Sequence, residues 1–434
     1  MRRLPNIRHL LPPVLVGALA FGAYMGNGRG YPSGDTVPAR LLPISMLREH
    51  DLDLDEFVRE IHPGKHYCIV VVGDRRLSAY PLGPAFTALP IYAAVQLVAP
   101  RAIKSGLDAY YSRGYGDEKI TFISRLEKAA AACIAAACVV VLWLLFRERL
   151  DTALAALLTA TFALGTGLLS TAAQALWTHG PSCLALALAL LFTLRRGTHD
   201  RDLFLGGLFA GWAVFCRPSN AVPLAVFGCW VLGRNRLRTG WFLAGGTLVV
   251  VVTTALYWHL YGHVLGGMVA LRTLGGFSLE ALFGVLFSPS RGLLLFSPFL
   301  AVAVWGGVHA LRRQPGSYTA ASFAAALAYV FFYGFHADWG AGFCFGARLL
   351  CDVVPFLALP AAAGILLASR RRWLFAAAVA LCVFSVLIHV LGAYRGDRGW
   401  NEERFWDQET EALWRVRDSQ LAWTLIGPPR TPAE

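Results

Sequence analysis

Apolar runs of about 15 to 20 residues recur along the whole chain, separated by short clusters of charged residues. A helix needs a run of that length to cross the hydrocarbon core of a bilayer. Of the 434 residues, 56% are hydrophobic and only 15% are charged, whereas about a quarter are charged in soluble domains. These features exclude a water-soluble globule and predict an all-α polytopic membrane protein.

The runs predict a bundle of about 11 transmembrane helices. The first run, Leu10–Met25, is followed by no small-residue cleavage site, so we interpret it as an uncleaved span rather than a signal peptide. The predicted spans lie near residues 10–26, 127–146, 152–170, 181–194, 203–216, 220–233, 241–260, 292–311, 318–335, 351–368 and 373–393. A further apolar segment, Leu82–Ala99, is interrupted by Pro84 and Pro90, and whether it crosses decides the orientation of all later spans.

The arginines favour a topology in which Leu82–Ala99 does not cross. Sixteen arginines and four acidic residues then lie on the inner face, and their difference accounts for the whole net charge of +12. Short arginine-rich inner connections are what the positive-inside rule requires. We therefore expect Leu82–Ala99 to lie on or dip into the outer leaflet, with a cytoplasmic N-terminus and an extracytoplasmic C-terminus.

The net charge of +12 is explained by the membrane topology and not by a nucleic-acid partner. No motif that recognises nucleic acid accompanies it, so no nucleic-acid partner is expected, whereas membrane lipids are. Only four of the 39 basic residues are lysines, a bias that suggests a bacterial chain and therefore a bacterial inner membrane.

This topology gives one transmembrane domain, residues 1–393, with a large first external loop at residues 27–126. Within the loop, Val37–Arg48 resembles a short amphipathic helix, and Tyr67–Tyr80, centred on Gly73–Asp74, predicts a small hairpin. The tail, residues 394–434, alternates aromatic residues (Phe405, Trp406, Trp414, Trp423) with charges. That alternation predicts an external, interfacial amphipathic helix.

Ionisable residues near the apolar ends of the spans collect on the predicted outer side. Each charge at membrane depth costs about 2.5–3.5 kcal/mol on insertion scales, so this one-sided collection indicates a site that faces outward. Asp35, in Tyr31–Thr36 directly after the first span, is the most informative of them. An acidic residue before a proline-containing helix start is often only an N-cap, and the local sequence alone favours that interpretation.

Three short features of the outer side carry a family resemblance. Asp35 follows the first span, Tyr80–Pro84 begins a juxtamembrane helix in a long outer loop, and Arg125 opens the second span in Ile123–Leu126. Together they resemble the GT-C glycosyltransferases, which include bacterial aminoarabinose transferases and the protein O-mannosyltransferases. The resemblance implies a GT-C-like bundle in which Asp35 is the catalytic base.

The reaction implied by the resemblance is an inverting transfer of a sugar from a polyprenyl-phosphate donor to an acceptor hydroxyl on the extracytoplasmic face. The acceptor, whether a glycan, a lipid or a protein, stays open. A leaving phosphate is stabilised by cations, and arginine suits it because the planar guanidinium engages two oxygens.

Arg291 and Arg348 are the predicted phosphate cradle. They lie in Ser288–Gly292 and Gly346–Leu349, among small residues at outer span ends, and contact with lipid head groups is the alternative role. His336–Phe343 resembles a glycine- and tryptophan-rich external turn of bacterial members of the superfamily. The other candidates for substrate binding are Arg125, His179, His336, Asp338 and Trp339. Arg125 has the alternative roles of a membrane anchor or of a member of a solvated cluster with Glu127 and Lys128. His179 has the alternative of a structural histidine, and Trp339 that of an interfacial tryptophan.

Some members of the superfamily use a divalent cation. The acidic pair Asp117–Glu118 is the candidate that would help Asp35 to hold Mg²⁺ or Mn²⁺. Relatives often carry two neighbouring acids after the first span, whereas this chain has Gly34–Asp35, so the metal requirement stays open. The acidic run Asp51–Glu56 is typical of a solvated face.

Other functions stay open at this point. A lipid-carrier flippase or transporter also needs polar residues in a membrane cavity, although internal repeats, which are expected there, are not evident in the sequence. A transferase similar to the O-antigen ligases would use a late external loop, and Tyr261–Arg291 holds His263, Arg272 and Glu280. An assembly subunit without catalysis is the remaining alternative.

Overall fold

The computed structural model describes residues 11–57, 67–113, 121–195, 198–234, 238–271, 273–395, 399–404 and 410–427. It is 75% helical with few strands, as expected of an all-α membrane protein. The helices are α1 (Leu11–Met25), α2 (Val37–Arg48), α3 (Gly83–Val98), α4 (Pro100–Arg113), α5 (Phe122–Arg147), α6 (Thr152–Leu164), α7 (His179–Leu194), α8 (Asp200–Cys216), α9 (Ala221–Arg234), α10 (Thr239–Tyr261), α11 (Leu279–Phe287), α12 (Leu293–Phe296), α13 (Leu300–Arg313), α14 (Tyr318–Phe332), α15 (Val353–Ala368), α16 (Arg372–Arg395), α17 (Gly399–Arg404) and α18 (Gln420–Ile426). The strands β1 (Ile69–Val72) and β2 (Arg75–Ser78) form one antiparallel hairpin.

Among the described residues, four helices are long and apolar enough to cross a membrane: α5, α10, α16 and the segment Tyr318–Phe335 that contains α14. A fifth is obtained if α3 and α4 form one bent span. Each of the eleven predicted positions holds helix, but several of these helices are shorter than 18 residues. The number of crossings therefore remains a prediction.

Two of the predicted spans are interrupted. Between α12 and α13 the helix breaks at Ser297–Phe299, because Pro298 has no N–H for the helical ladder. In the predicted span 152–170, α6 ends at Leu164 and a single π-helical turn follows at Leu168–Ala172. A continuous helix was the wrong prediction for both segments.

The first loop contains the predicted helix α2 and the predicted hairpin. Ile69 pairs with Ser78, and Gly73 adopts a φ of +62° in the turn, a conformation that favours glycine. The predicted amphipathic character of α2 is not observed over most of the helix, because every residue of Val37–Ser45 is buried. The hydrophobic residues of α2 pack in one cluster with those of α3 and α5.

The segment Leu82–Ala99 forms α3, which turns by 104° into α4. The turn falls at Pro100, which cannot continue the hydrogen-bond ladder of α3. Leu97 and Val98 at this elbow are 84% and 87% exposed. An apolar elbow of this shape suits a segment that dips into a leaflet, and its side of the membrane remains a prediction.

Opposite ends of the helical bundle carry different chemistry. At one end, arginines of the predicted inner clusters bind neighbouring helices: Arg238 pairs with Asp200 at 2.6 Å, and Arg149 lies 5.5 Å from the Tyr318 ring. At the other end, the start of α7 and the segment before α15 meet the loop that follows α1. The candidate site residues lie at this second end.

The C-terminal segment differs from its prediction. Instead of one interfacial amphipathic helix it forms α17, a 3₁₀ turn at Thr410–Trp414, and α18. Trp400 and Trp423 are buried against the bundle core, whereas Phe405 and Trp406 lie outside the described residues. Trp414, by contrast, is 36% exposed, so the described aromatic residues of the tail do not share one environment.

Candidate functional site

Asp35 does not cap a helix. Ser33 caps the 3₁₀ turn Gly34–Thr36, because its Oγ accepts the Asp35 N–H at 3.2 Å. Helix α2 begins at Val37 and receives no side-chain cap from Asp35. The carboxylate is therefore free of the N-cap role that local sequence favours, and it points into the protein instead.

Asp35 is engaged at both carboxylate oxygens. Arg348 Nη1 donates to Oδ2 at 2.5 Å, and the Tyr67 hydroxyl donates to Oδ1 at 2.5 Å. The Tyr80 hydroxyl also interacts with this carboxylate. Side-chain exposure is 15% for Asp35 and 12% for Arg348, so water screens the ion pair only weakly.

The protonation state of Asp35 follows from these contacts. Burial raises the pKa of the carboxyl, but the charge of Arg348 and the hydrogen bonds from Tyr67 and Arg348 outweigh it, so the net pKa is lowered. Asp35 is therefore an ionised carboxylate at neutral pH. An ionised carboxylate that is only partly covered is able to accept a proton.

Gly34 allows Tyr67 to reach Asp35. A Cβ at position 34 would lie 2.8 Å from the Tyr67 hydroxyl oxygen and 2.9 Å from the adjacent ring carbon. Any residue other than glycine at position 34 would place a side chain against this ring. The approach of Tyr67 leaves no room for such a side chain.

Arg348 is held on three sides. Its guanidinium carbon lies 4.5 Å from the centre of the Trp177 ring, a cation–π contact, and Nη2 donates to the Ala341 carbonyl at 2.5 Å. The buried Nε–H has no hydrogen-bond partner within the described part of the chain. Trp177 in turn donates from Nε1 to the Tyr31 carbonyl at 3.1 Å, which ties the ring to the segment that carries Asp35.

Arg291, the other half of the predicted cradle, makes no contact with Asp35. It is 2% exposed, and its guanidinium stacks 4.9 Å from Trp400. An arginine has five N–H donors. All five donate to protein oxygens, namely those of Gly340, Ser290, Gln420, Gly342 and Asn401. In this arrangement no donor of Arg291 remains for a phosphate, and the side chain acts as a structural tie.

The loop between α14 and α15 lies between the two arginines. Gly340 and Gly342 direct their carbonyls to Arg291, whereas Ala341 between them directs its carbonyl to Arg348. Ala341 has a φ of +61°, in the left-handed region that a residue with a Cβ rarely adopts. The loop thus carries local strain next to Arg348.

The three candidates in the same loop have different surroundings. Trp339 is 5% exposed, and its ring packs on Gly284 and, at 5.8 Å, on Trp414, so neither face is open for a sugar. Asp338 is exposed. His336 stacks 5.5 Å from the Tyr333 ring, and its buried Nδ1 has no hydrogen-bond partner in the described chain.

A second buried network lies beside the Asp35–Arg348 pair. His179 Nδ1 lies 2.7 Å from Asp352 Oδ2, and Asp352 also accepts a hydrogen bond from Ser182. Arg217 Nε lies 3.5 Å from the same carboxylate, and Nη2 donates to the Tyr333 hydroxyl at 2.5 Å. His179 therefore binds protein partners, and its predicted contact with a donor phosphate is not part of this arrangement.

Arg217 is not among the candidates that the sequence predicts, and this network was missed. Arg217 also donates to Thr178, the neighbour of Trp177, so the network adjoins the ring that supports Arg348. Asp352 precedes α15 directly, and a carboxylate next to an apolar span needs a partner. That rule identifies Asp352 as paired but does not name Arg217.

Arg125 is exposed at the start of α5 and is not among the residues that contact Asp35, so the structure does not bring this candidate into the cluster. Its neighbours Glu127 and Lys128 are buried, which makes the solvated cluster wrong. Glu127 pairs with Arg40 of α2 at 2.6 Å, and Lys128 donates to Gln174 at 2.8 Å. These contacts attach the first loop to the bundle.

Two residues of the ligase-like alternative, His263 and Glu280, bind different partners. His263 accepts the backbone N–H of Leu265, and Glu280 accepts a hydrogen bond from Trp414 at 3.3 Å. Arg272 lies outside the described residues. His263 and Glu280 have no contact with each other among these bonds.

The described residues do not suit a divalent cation at Asp35. Both of its oxygens are engaged, and the cation beside Oδ2 is the Arg348 guanidinium. The predicted partners Asp117 and Glu118 lie outside the described residues. The one group of three metal-ligating side chains found in the described chain is Asp51, Asp53 and Glu56, which is largely exposed and does not include Asp35. No step of the chemistry below is therefore assigned to a metal.

Comparisons with known proteins give a distant match. No protein-family model and no curated protein matches the chain. Among solved structures, it is similar to the archaeal oligosaccharyltransferase AglB from Archaeoglobus fulgidus, in complex with an inhibitory peptide and a dolichol-phosphate. The TM-score is 0.48 and the identity 11%, over 97% of this chain and 61% of that one. The chain thus spans less than two thirds of that protein, and a match at this level carries no functional inference.

Proposed function

We propose that this chain transfers a sugar from a polyprenyl-phosphate donor to an acceptor hydroxyl, with inversion, at the end of the bundle that carries Asp35 and Arg348. The observation that carries the proposal is the contact between the ionised Asp35 carboxylate and the Arg348 guanidinium at one end of the helical bundle. A hydroxyl that attacks a sugar needs a base, and a departing lipid phosphate needs a cation. The pair supplies both groups side by side.

Asp35 is the base in this proposal. The acceptor oxygen forms a bond to the anomeric carbon and its proton passes to the Asp35 carboxylate. The bond from the anomeric carbon to the phosphate oxygen breaks, and its electron pair leaves with the phosphate. The reaction therefore converts a phosphodiester into a polyprenyl phosphate monoester, which carries additional negative charge.

Arg348 is the group that stabilises this charge. Its Nη1 and Nη2 each make one hydrogen bond to protein, so each retains a further N–H, and its buried Nε–H has no partner in the described residues. The Trp177 ring covers one face of the guanidinium, which holds the donor plane in place. Because the site is largely buried, the interaction with a phosphate is stronger than it would be in water.

The donor half of the proposal is tested by binding. We expect purified protein in nanodiscs to bind undecaprenyl phosphate, and Arg348→Gln to weaken the affinity by about 10- to 100-fold, the range for a charged hydrogen-bonding partner. Arg313→Gln is the matched control, since Arg313 is exposed at the end of α13, the last turn of which carries Arg312 and Arg313. Equal affinities of wild type and Arg348→Gln would overturn the assignment of Arg348.

The transfer half is tested by turnover. Mass spectrometry of lipids that co-purify with the protein identifies the sugar carried by the donor, and release of undecaprenyl phosphate from that donor is then followed. Asp35→Asn is isosteric but a much weaker base, and we expect a loss of about 10²- to 10⁴-fold in rate. Turnover by Asp35→Asn at the wild-type rate would refute the proposed base.

A further inference from the structure

The C-terminal segment buries polar side chains at the back of the candidate site. Asn401 in α17 is fully buried, Gln420 at the start of α18 is 3% exposed, and Arg291, which both contact, is 2% exposed. Buried polar groups are expensive unless they are hydrogen-bonded, so their partners identify what such residues hold.

Gln420 hydrogen-bonds to the loop between α14 and α15. Its Oε1 accepts from Arg291 Nη1 at 2.8 Å and from the Gly346 N–H at 2.7 Å, and its Nε2 donates to the Cys344 carbonyl at 2.8 Å. The backbone N–H of Gln420 donates to Ser290 Oγ at 3.2 Å. The Gln420 side chain thus connects the tail both to this loop and to Arg291, which itself hydrogen-bonds to the loop.

Asn401 joins the same loop to the segment that carries Asp35. Its Oδ1 accepts from Arg291 Nη2 at 2.9 Å, and its Nδ2 donates to the Tyr31 hydroxyl at 2.7 Å and to the Cys344 carbonyl at 3.2 Å. The Tyr31 carbonyl accepts the hydrogen bond of Trp177, on which Arg348 stacks.

These contacts converge on the carbonyl that orients Arg348. Arg291 holds Gly340 and Gly342, the residues on both sides of Ala341, and the Ala341 carbonyl accepts from Arg348 Nη2. Ala341 keeps its positive φ only while the surrounding contacts impose it. Loss of the tail contacts removes two of the five acceptors of Arg291 and both side-chain donors to the Cys344 carbonyl.

We propose that the tail segments 399–404 and 410–427 act as a latch, in which Asn401 and Gln420, through Arg291, hold the 340–346 loop in the form that aims Arg348 at Asp35. These three residues are positioning residues, and their effect on phosphate binding rests on the proposed function. The latch does not depend on the proposed function, because it concerns only the conformation of the 340–346 loop. This loop contains a residue that reports its conformation.

Cys344 is that reporter, since it is 1% exposed and its carbonyl is the shared acceptor of Asn401 and Gln420. We would label purified protein with N-ethylmaleimide and quantify modification of each cysteine by peptide mass spectrometry, with buried Cys183 as internal reference. We expect Cys344 in Gln420→Ala to react at least about tenfold faster than in wild type, because two or more buried hydrogen bonds are lost.

Two further variants separate positioning from general loss of fold. Gln420→Glu keeps the acceptor for Arg291 but loses the Nε2 donor to the Cys344 carbonyl, so we expect it to restore the protection only in part, whereas Val416→Ala, at a 72% exposed position of the tail, leaves Cys344 as in wild type. The affinity of the folded fraction for undecaprenyl phosphate falls in Gln420→Ala and recovers in Gln420→Glu. A residue that only stabilised the fold would lower the folded fraction without changing that affinity.

Unchanged Cys344 reactivity in Gln420→Ala would overturn the latch. Faster labelling of Cys183 to the same degree as Cys344 would also overturn it, since the whole bundle would then have loosened. If Cys344 is exposed but Gln420→Ala and Arg348→Gln both bind undecaprenyl phosphate as wild type does, the latch stands and the proposed function fails.

Discussion

Tyr67 occupies the position at Asp35 that an acceptor hydroxyl would need. Its hydroxyl donates to Oδ1 at 2.5 Å, yet 59% of the residue is exposed. A hydrogen bond to a charged group contributes about 1.5–3 kcal/mol, and the exposure of Tyr67 places this one at the lower limit. Removal of the hydroxyl should therefore favour the protonated form of Asp35 by about tenfold.

The perturbation is Tyr67→Phe, which keeps the ring and removes only the donor. We predict that the acid limb of the pH–rate profile for undecaprenyl phosphate release shifts to higher pH, because the carboxylate loses a stabilising bond. At neutral pH we predict a rate within about threefold of wild type, since Asp35 remains ionised and Oδ1 is open to the acceptor.

Tyr394→Phe is the matched control, because Tyr394 is 39% exposed and its hydroxyl donates to a backbone carbonyl away from Asp35, that of Ala23. Its pH–rate profile should coincide with that of wild type. A rate loss of about 10²-fold or more for Tyr67→Phe at every pH would refute the reasoning, because the hydroxyl would then take part in the reaction.

Three further outcomes follow from the geometry around the first loop. Gly34→Ala places a Cβ 2.8 Å from the Tyr67 hydroxyl, so the ring must move and carbodiimide labelling of Asp35 should rise; unchanged labelling would contradict the contact. Glu127→Gln removes the buried carboxylate that pairs with Arg40 and should destabilise the protein by about 3–5 kcal/mol, seen as a lower thermal unfolding midpoint, whereas an unaltered midpoint would contradict a buried pair. Burial raises the pKa of Asp35, but its charged and hydrogen-bonded partners lower it further, so its ion pair adds stability above the ordinary carboxyl pKa of 3.8. The stability advantage of wild type over Asp35→Asn should therefore decrease once the pH falls below 3.8 and vanish as it falls through the lowered pKa of Asp35, and a constant difference would argue against the pair.

The features of the fold that depend on neighbouring residues, namely the hairpin turn and the positions of the helices, were predicted from the sequence. The turn of the hairpin follows from Gly73–Asp74 between β-forming residues, and the positions of the helices follow from the apolar runs. The topology argument placed Asp35 and Arg348 on one side of the membrane, and the structure brings the two side chains into contact. Sidedness relative to a bilayer stays a prediction.

Hydrogen-bond partners that are far apart in sequence could not be predicted from local sequence patterns. Arg291 and Arg348 have the same sequence surroundings, a guanidinium among small residues at the end of a span. What distinguishes them is the set of acceptors each meets, and two of the five acceptors of Arg291 come from Gln420 and Asn401, more than 100 residues away in sequence. For the same reason the tail was predicted as a surface helix rather than as part of the site.

The most direct measurement of the central claim is a double-mutant cycle between Asp35 and Arg348, read as the rate of undecaprenyl phosphate release from the donor that co-purifies with the protein. If the pair is one reactive unit, Asp35→Asn and Arg348→Gln each cost about 10²-fold or more, and the double variant is within about tenfold of the slower single variant. Losses that multiply across the two substitutions, or wild-type turnover by either single variant, would contradict the account.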